Sequence, residues 1–298
     1  MLAGMRHTSL RCLVGAVLLL VPFARPADAQ DAEPETVRPF LMPDLSGSGF
    51  AGVDAQLTFG EVDLGLLGSV DVTVVTVDAV AEVPVGRRLL VLGRLPLVYA
   101  SRDEVLGDEC CGASLGNLTA GARALFPLAA GGRDARIGAE VTVSLPTADD
   151  DGDGADGNGL AVIAQLPHDP GRYAPNATVV RAGGSGAVRA GRAFAQAELA
   201  LHLAFYDDDA GEDSDSALRL GVGGGAQLTP GAAVLAELTT FANLDTDEGD
   251  EDFIHALDLG ARWTGGNATA SARIYFPLDE VFRDLDMFGL GLEAGARF

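Results

Sequence analysis

Clustered carboxylates are the most conspicuous groups in this sequence that could bind a ligand. They form runs at residues 149–153, 207–209, 212–215 and 245–252. Asp149, Asp151 and Asp153 alternate along the chain and could hold Ca²⁺ or Mg²⁺ weakly, because both cations take oxygen ligands. The EF-hand pattern fails, since Leu160 stands where that pattern needs a bidentate glutamate. The alternative is that these carboxylates only keep surface loops hydrated.

Histidine is the next candidate for chemistry. Three histidines follow the N-terminal apolar run: His168, His202 and His255. His202 lies four residues from both Glu198 and Tyr206, but no serine or aspartate accompanies it in a pattern typical of a catalytic site. The sequence therefore predicts a protein that is not an enzyme and needs no cofactor.

The cysteines exclude a disulfide scaffold. Only Cys110 and Cys111 follow the N-terminal region, and they are adjacent in a polar stretch. A vicinal disulfide, a soft metal site and no role at all remain open.

The N-terminus resembles an export signal. Arg6 and Arg11 precede the apolar residues 12–23, and a small-residue motif ends at Ala29. The apolar run is shorter than the roughly 20 residues that a spanning helix needs. Residues 1–29 are therefore predicted to be a signal peptide that is cleaved near Ala29. The formal net charge of −23 excludes nucleic acid as a partner.

Strand periodicity is the main structural signal. In the last segment, apolar residues from Phe288 to Phe298 occupy every second position, and glycine or charged residues fill the positions between them. Eleven such segments are predicted near residues 69–84, 87–100, 115–127, 134–147, 176–188, 191–206, 217–228, 232–244, 253–264, 267–278 and 287–298. A twelfth near residues 50–58 would close a barrel, while ten or fourteen strands remain possible. The change of phase at Val74 and Val75 suggests a β-bulge.

These strands predict an all-β, transmembrane, antiparallel up-and-down barrel over residues 50–298. They are longer than the five or six residues typical of a soluble sandwich, and their apolar faces are nearly free of charge, as contact with membrane lipid requires. Short turns alternate with long connections, such as residues 148–175. The short turns are therefore predicted to be periplasmic, the long loops extracellular and residues 30–49 a periplasmic segment. The expected location is the bacterial outer membrane, and the terminal Phe298 resembles the signal that the barrel-assembly machinery reads.

The other strand face is polar and carries both signs of charge. The residues predicted to line the lumen are Arg123, Arg136, Glu140, Glu198, His202, Arg219, Glu237, Asp258, Arg262, Arg273, Glu293 and Arg297. They could border a narrow channel, or they could pair across the lumen and fill it. Inward glycines, including Gly221, Gly223 and Gly291, favour a passage or a ligand cavity because they leave room.

One stretch resembles a known family. Residues 116–123 (GNLTAGAR), residues 138–147 (GAEVTVSLPT) and the Gly/Asp loop that follows them are similar to the outer-membrane "transporter", or MetA-pathway-of-phenol-degradation, proteins. Relative to that pattern, Asn117 replaces an acidic residue, Arg123 a lysine and Ala148 a glycine. The resemblance implies passive uptake of small molecules, hydrophobic or aromatic ones among them, and no catalytic residue carries over.

The sequence thus favours a channel for passive passage of small solutes. The alternative is a closed structural or adhesive surface barrel that acts through its acidic loops.

Overall fold

The computed structural model describes residues 37–298, apart from residues 64–68, 106–107, 111, 131–132, 167, 207–213, 245–252, 281 and 283–284. The predicted signal peptide and its cleavage site lie outside these described residues. So do Cys111, the acidic runs 207–209 and 245–252, and the first two residues of the run 212–215.

Twelve long strands form a barrel within the described residues. They are β1 (Phe50–Asp63), β2 (Ser69–Pro84), β3 (Leu89–Val105), β6 (Thr119–Ala130), β7 (Arg133–Ser144), β8 (Ala177–Ala190), β9 (Ala193–Tyr206), β10 (Ser214–Thr229), β11 (Ala232–Asn243), β12 (Phe253–Gly265), β13 (Ala268–Pro277) and β14 (Phe288–Arg297). Two three-residue strands, β4 (Asp108–Cys110) and β5 (Ala113–Leu115), pair with β3.

The barrel closes where the first strand meets the last. β1 pairs antiparallel with β14 from Phe50 opposite Arg297 to Phe59 opposite Phe288, and it pairs with β2 along its other edge. Two main-chain hydrogen bonds extend this seam: Gly49 N–H donates to Phe298 O at 2.9 Å, and Phe298 N–H donates to Gly49 O at 3.1 Å. The predicted twelve-strand up-and-down barrel is confirmed, and its first strand is longer than expected.

The outer surface is suited to lipid. Large apolar side chains such as Val141, Leu199, Leu259 and Leu292 are exposed at alternating positions. Aromatic residues are exposed near both rims: Phe126 and Trp263 lie towards the end with the short turns, while Tyr99, Phe205 and Phe276 lie towards the end with the long loops. Such paired aromatic girdles flank the apolar band of membrane barrels. These rims are called the short-turn end and the long-loop end below.

No helix among the described residues is long and apolar enough to cross a membrane.

The predicted β-bulge at Val74 and Val75 is wrong. β2 keeps an unbroken register with β1 from Ser69 to Glu82 and with β3 from Val72 to Pro84. Val70, Val72 and Val74 lie on the inner face, which is apolar here because buried Ala161 and Ala164 pack against it. The apparent change of phase therefore marks a part of the inner wall that is covered by protein.

The connection between β7 and β8 is not the plain loop expected for residues 148–175. It contains a helix, α1 (Gly152–Gln165), and a 3₁₀ turn (Pro170–Arg172). The helix packs on β2, β3 and β5 from inside the barrel. Its second half carries the apolar residues that make this packing favourable, while its acidic first half resembles a solvated loop. Residues 145–176 are called the inner loop below.

Substituting arginine for an outward leucine tests whether the outer face of the strands contacts lipid. Leu259, at the middle of β12, is 42 % exposed, and Leu228, near the short-turn end of β10, is 55 % exposed. We expect Leu259→Arg to reduce the free energy of unfolding in lipid vesicles by about 2–4 kcal/mol, and Leu228→Arg by about 0–1 kcal/mol. The chain has a single tryptophan, Trp263, which lies on the outer face. The fluorescence of Trp263 in a urea titration measures unfolding. Equal losses in the free energy of unfolding for the two variants would contradict a membrane-embedded band of outward apolar residues.

Candidate functional site

The lumen is filled from the short-turn end by residues 37–49, called the N-terminal plug below. This is part of the segment that was expected to lie in the periplasm as residues 30–49. Phe40 packs on Ala233 and Leu235 of β11, and Leu45 packs on Leu90 and other inward leucines. The described part of the segment therefore occupies the inside of the barrel instead of extending away from it.

The wall binds the N-terminal plug mainly through the plug's main chain. Glu237 accepts hydrogen bonds from the N–H groups of Phe40 (2.5 Å) and Leu41 (3.0 Å). In the other direction, Arg262 donates to Pro39 O at 3.1 Å and Gln196 donates to Pro43 O at 2.7 Å. These hydrogen bonds involve only main-chain atoms of the plug, so they do not depend on the identity of its side chains.

Two more wall arginines continue this arrangement. Arg123 donates to Asp44 O at 2.9 Å. Arg136 donates to Leu45 O at 3.1 Å and to Ser46 O at 2.6 Å. Charged side chains predicted to line the lumen thus hold a segment of the same chain in place.

Arg38 is the main charged side chain that the plug contributes. It pairs with Glu82 at 2.7 Å, and with Asp44 and Glu293 at 3.5 Å. Its guanidinium also lies 4.1 Å from the centre of the Phe50 ring. Burial alone would lower the pKa of Arg38, but the three carboxylates raise it above its ordinary value. Arg38 therefore remains charged and neutralises carboxylates of the wall.

The inward glycines give space to the plug, not to an open passage. A methyl group added to Gly221 would lie 3.2 Å from Met42 Cγ, and one added to Gly223 would lie 2.5 Å from Met42 Cε. At Gly291 the added group would lie 2.5 Å from Arg273 Nε. The expectation that these glycines leave the lumen free is therefore corrected: the space exists, but Met42 and Arg273 occupy it.

The inner loop closes the other half of the lumen and is pinned by a buried asparagine. Asn117 Oδ1 accepts hydrogen bonds from the N–H groups of Thr147 (3.0 Å) and Ala148 (2.9 Å). Its Nδ2 donates to Gly171 O at 3.0 Å and to Ala174 O at 2.7 Å. One side chain thus joins both ends of the inner loop to the start of β6.

The inner loop also crosses the lumen and contacts opposite walls. His168 Nε2 lies 3.1 Å from Asp258 Oδ2 on β12, whereas Arg172 pairs with Asp78 on β2. Burial lowers the pKa of His168, although Asp258 acts in the opposite direction. The region between the two plugging segments holds a cavity of about 30 Å³, bordered by His168 and by charged residues that include Arg94 and Arg123. This is room for one or two waters, so the lumen is closed at this level.

All twelve residues predicted to line the lumen lie on the inner face, and most are paired. Arg123 is 2.6 Å from Glu140, Arg219 is 2.5 Å from Glu198, Arg262 is 2.6 Å from Glu293, and Arg273 is 3.3 Å from Asp258. Arg297 is 3.9 Å from Asp44 of the plug. The wall charges therefore fill the lumen together with the plug.

Other inward charges were not identified from the sequence: Asp54, Asp78, Glu82, Arg94 and Arg181. Asp78 and Glu82 pair with Arg172 and Arg38 respectively. Uninterrupted alternation along β2 places both Asp78 and Glu82 on the inner face. The predicted bulge at Val74 and Val75 interrupts this alternation, and both residues were missed for that reason. Arg38, His168 and Arg172 lie in segments without periodicity, and no signal in the sequence indicated their inward position.

Comparison with one solved structure supports this architecture. An outer membrane channel from Pseudomonas putida F1 aligns with a TM-score of 0.60 and 14 % identity, over 88 % of this chain and 100 % of that chain. This chain has the outer-membrane barrel fold. The translocator domain of the autotransporter NalP from Neisseria meningitidis aligns with a TM-score of 0.48 and 11 % identity, over 85 % of this chain and 88 % of that chain. No protein-family model matches the sequence, and no curated protein matches it.

The acidic residues proposed as a cation site are not gathered into one. Asp149 accepts a hydrogen bond from Leu115 N–H at 3.3 Å, Asp151 precedes α1 and Asp153 lies in its first turn. All three are exposed. No group of three or more potential metal ligands lies close together among the described residues. Cys110 ends β4, and its neighbour Cys111 lies outside the described residues.

His202 lies inside the barrel, whereas His255 and Phe298 lie on its outer side. His202 is buried on the inner face, with Nδ1 4.0 Å from Asp169 Oδ1 and its ring 5.5 Å from that of Phe241. His255 lies on the outward phase, and its Nδ1 is 2.9 Å from Thr240 Oγ1. Phe298 is 61 % exposed at the barrel seam.

Proposed function

We propose that this chain is a passive channel of the bacterial outer membrane, closed at rest by the N-terminal plug and the inner loop. The observation that carries the proposal is the way the plug is held. Wall side chains bind its main chain through hydrogen bonds, and its apolar side chains lie against inward glycines and leucines. Apart from the ion pairs of Arg38, these contacts can be exchanged for water, and displacement of the plug would uncover the polar short-turn half of the lumen.

Two further observations support this proposal. The lumen is wide enough to hold two segments of chain, whereas a purely structural barrel could be filled by its wall side chains alone. The structural neighbour from Pseudomonas putida is described as an outer membrane channel. The alternative, a closed surface barrel, shares the filled lumen, but the acidic loops through which it would act lie largely outside the described residues.

The finer parts of the proposal rest on the sequence. They are export behind a signal peptide, insertion into outer-membrane lipid by the barrel-assembly machinery through Phe298, and the absence of enzymatic activity. The solutes are proposed to be small, hydrophobic or aromatic ones among them, as the resemblance to the MetA-pathway proteins implies.

Weakening the plug without removing it tests the proposal. We expect Glu237→Ala to raise the open probability in planar bilayers, and the rate of liposome swelling, by at least about tenfold, because each of the two hydrogen bonds it removes contributes about 1.5–3 kcal/mol and about 1.4 kcal/mol corresponds to tenfold. Glu280→Ala, at an exposed residue of the long-loop end, is the control and should leave both rates unchanged. If the folded wild-type protein and the Glu237→Ala variant were both impermeable, the channel function would be rejected.

A further inference from the structure

Exposed arginines are concentrated on one part of the short-turn end. Arg87 and Arg88 lie in the turn between β2 and β3, and Arg192 lies in the turn between β8 and β9; all three are exposed. Strands β2, β3, β6, β7, β8 and β9 are consecutive around the barrel. The two turns therefore belong to one half of the rim, which is called the basic arc below. Because neighbouring strands are about 4.8 Å apart, about 20 Å separates the two turns.

The rest of the short-turn rim carries no charge in its turns. Residues 229–232, between β10 and β11, and residues 264–268, between β12 and β13, include no charged residue. At the long-loop end, the exposed Arg102 is accompanied by exposed carboxylates, including those of Asp71, Asp149 and Asp151. The basic arc is therefore a positive surface on one side of one end of an acidic protein.

The arginines of the basic arc differ from those of the lumen in having unengaged guanidinium groups. Within the part of the chain that the structure describes, no side-chain hydrogen bond or ion pair engages Arg87, Arg88 or Arg192. Their main chain is fixed to the barrel, because Arg88 O accepts a hydrogen bond from Leu125 N–H at 2.8 Å and Arg192 O accepts one from Gln227 N–H at 2.9 Å. The turns are thus held in place while their guanidinium groups stay available.

The basic arc borders the apolar outer surface. The exposed Val85 and Leu89 flank the first pair of arginines, and the exposed Val188 lies shortly before Arg192. Arginine side chains at the ends of spanning segments extend to the level of the lipid headgroups. There the guanidinium groups can donate charge-assisted hydrogen bonds to lipid phosphates.

The surroundings of these arginines favour an anionic headgroup over a zwitterionic one. A zwitterionic headgroup carries an ammonium group, which needs a carboxylate close to the arginines. Asp134, beside the turn between β6 and β7 within the basic arc, is engaged by Arg136 at 3.2 Å, and Arg133 precedes it at the start of β7. A headgroup without an ammonium group keeps its full attraction to the arginines.

We infer that the basic arc binds anionic phospholipids of the leaflet that surrounds the short-turn end, through phosphate groups held by Arg87, Arg88 and Arg192. In the proposed orientation this is the periplasmic leaflet. The distance between the two turns lets each turn hold a lipid of its own. The inference goes beyond the channel function, because it rests on the position of the barrel in a membrane and not on conduction.

Quenching of tryptophan fluorescence by brominated lipid measures which lipid lies beside a given part of the barrel. Trp263, on the uncharged part of the rim, is the native reporter, and Trp263→Phe combined with Val85→Trp moves the single tryptophan to the basic arc. Each protein is placed in vesicles of equal parts phosphatidylglycerol and phosphatidylcholine, of which only one is brominated. At the relocated tryptophan we expect phosphatidylglycerol to be preferred at least about fivefold, the contribution of one arginine beside anionic lipid. At Trp263 we expect equal quenching by the two lipids.

Substitutions that remove charge identify the groups responsible. Arg87→Gln combined with Arg88→Gln should abolish the preference at the relocated tryptophan, whereas Arg102→Gln, at the long-loop end, should leave it unchanged. Arg192→Gln should abolish the preference at a tryptophan placed at Val188. Folding of each variant is checked by the heat-dependent mobility of the barrel on gels.

Leu89→Trp, in place of Val85→Trp, gives a second reporter for the same turn. The inference is overturned if neither of these reporters distinguishes the two lipids, if Trp263 shows the same preference as they do, or if the preference survives removal of the arginines. A basic arc that binds an acidic periplasmic protein instead of lipid would give the first of these results. Conductance enters none of these measurements, so the channel function and this lipid site can fail separately.

Discussion

Deleting residues 37–47 should raise the conductance of the barrel by opening the short-turn half of its lumen. The deletion removes Arg38, Phe40, Met42 and Leu45 from the lumen and leaves the Gly49–Phe298 seam in place. What remains at the short-turn end is a wall with glycines on its inner face, and water would replace the plug there. We expect single-channel conductance to rise about tenfold over wild type, because the inner loop alone then obstructs the lumen and the space that the plug leaves at the short-turn end fills with water.

The controls for this deletion separate opening from misfolding. Replacing residues 37–47 by glycine and serine keeps the length of the segment but removes its side chains, and it should give the same increase. Phe40→Leu, which keeps an apolar side chain against Ala233 and Leu235, should behave like wild type. Folding is checked by the heat-dependent mobility of the barrel on gels. A folded deletion variant that conducts no better than wild type would mean that the inner loop closes the lumen by itself.

Removing Glu198 should produce the largest loss of stability. Its side chain is fully buried on β9, and it pairs with Arg219 at 2.5 Å and with Arg181. Arg181 also pairs with Glu140, whereas no other carboxylate pairs with Arg219 among the described residues. Glu198→Leu would leave the Arg219 charge buried and unpaired. We expect a loss of about 3–5 kcal/mol in the free energy of unfolding, because breaking a buried ion pair from one side carries a cost of this size.

The double variant Glu198→Leu with Arg219→Leu provides the critical comparison. When both charges are removed, no unpaired charge remains, and replacing a buried pair by apolar groups is often nearly neutral. The double variant should therefore be more stable than Glu198→Leu alone. Urea unfolding in vesicles, followed by Trp263 fluorescence, measures all three proteins. A double variant less stable than the single one would show that water already solvates Arg219 in the lumen.

The barrel could be predicted because lipid imposes a regular pattern on the sequence. Every second residue of a spanning strand must be apolar, so the alternation from Phe288 to Phe298 and in the preceding segments was sufficient to place the strands. The same reasoning located most of the inward charges of β6 to β14, since polar residues occupy the remaining positions, although Arg181 on β8 was missed. The weakly alternating segment from Phe50 is a full strand, because its pairing with β2 and β14 does not depend on a pattern.

The filling of the lumen could not be predicted from the same pattern. The N-terminal plug contains Pro39 and Pro43 and has neither helical nor strand periodicity, and its main chain is held by residues far away in sequence. The first half of α1 is rich in glycine and aspartate and resembles a solvated loop. The inner face of β2 was misinterpreted for a related reason: its valines are apolar because protein, not lipid, covers them. Interior contacts of this kind follow from tertiary structure and leave no repeating signature.

The position of the N-terminal plug has a consequence for biogenesis. The segment precedes β1, yet its partners are distributed around the circumference, from Glu82 on β2 to Glu237 on β11 and Glu293 on β14. Although it is synthesised before every strand, it can complete these contacts only after the last strand has been made and has joined the first. The short-turn half of the nascent cylinder would therefore remain unfilled until the final stage of its maturation, when residues 37–49 settle inside.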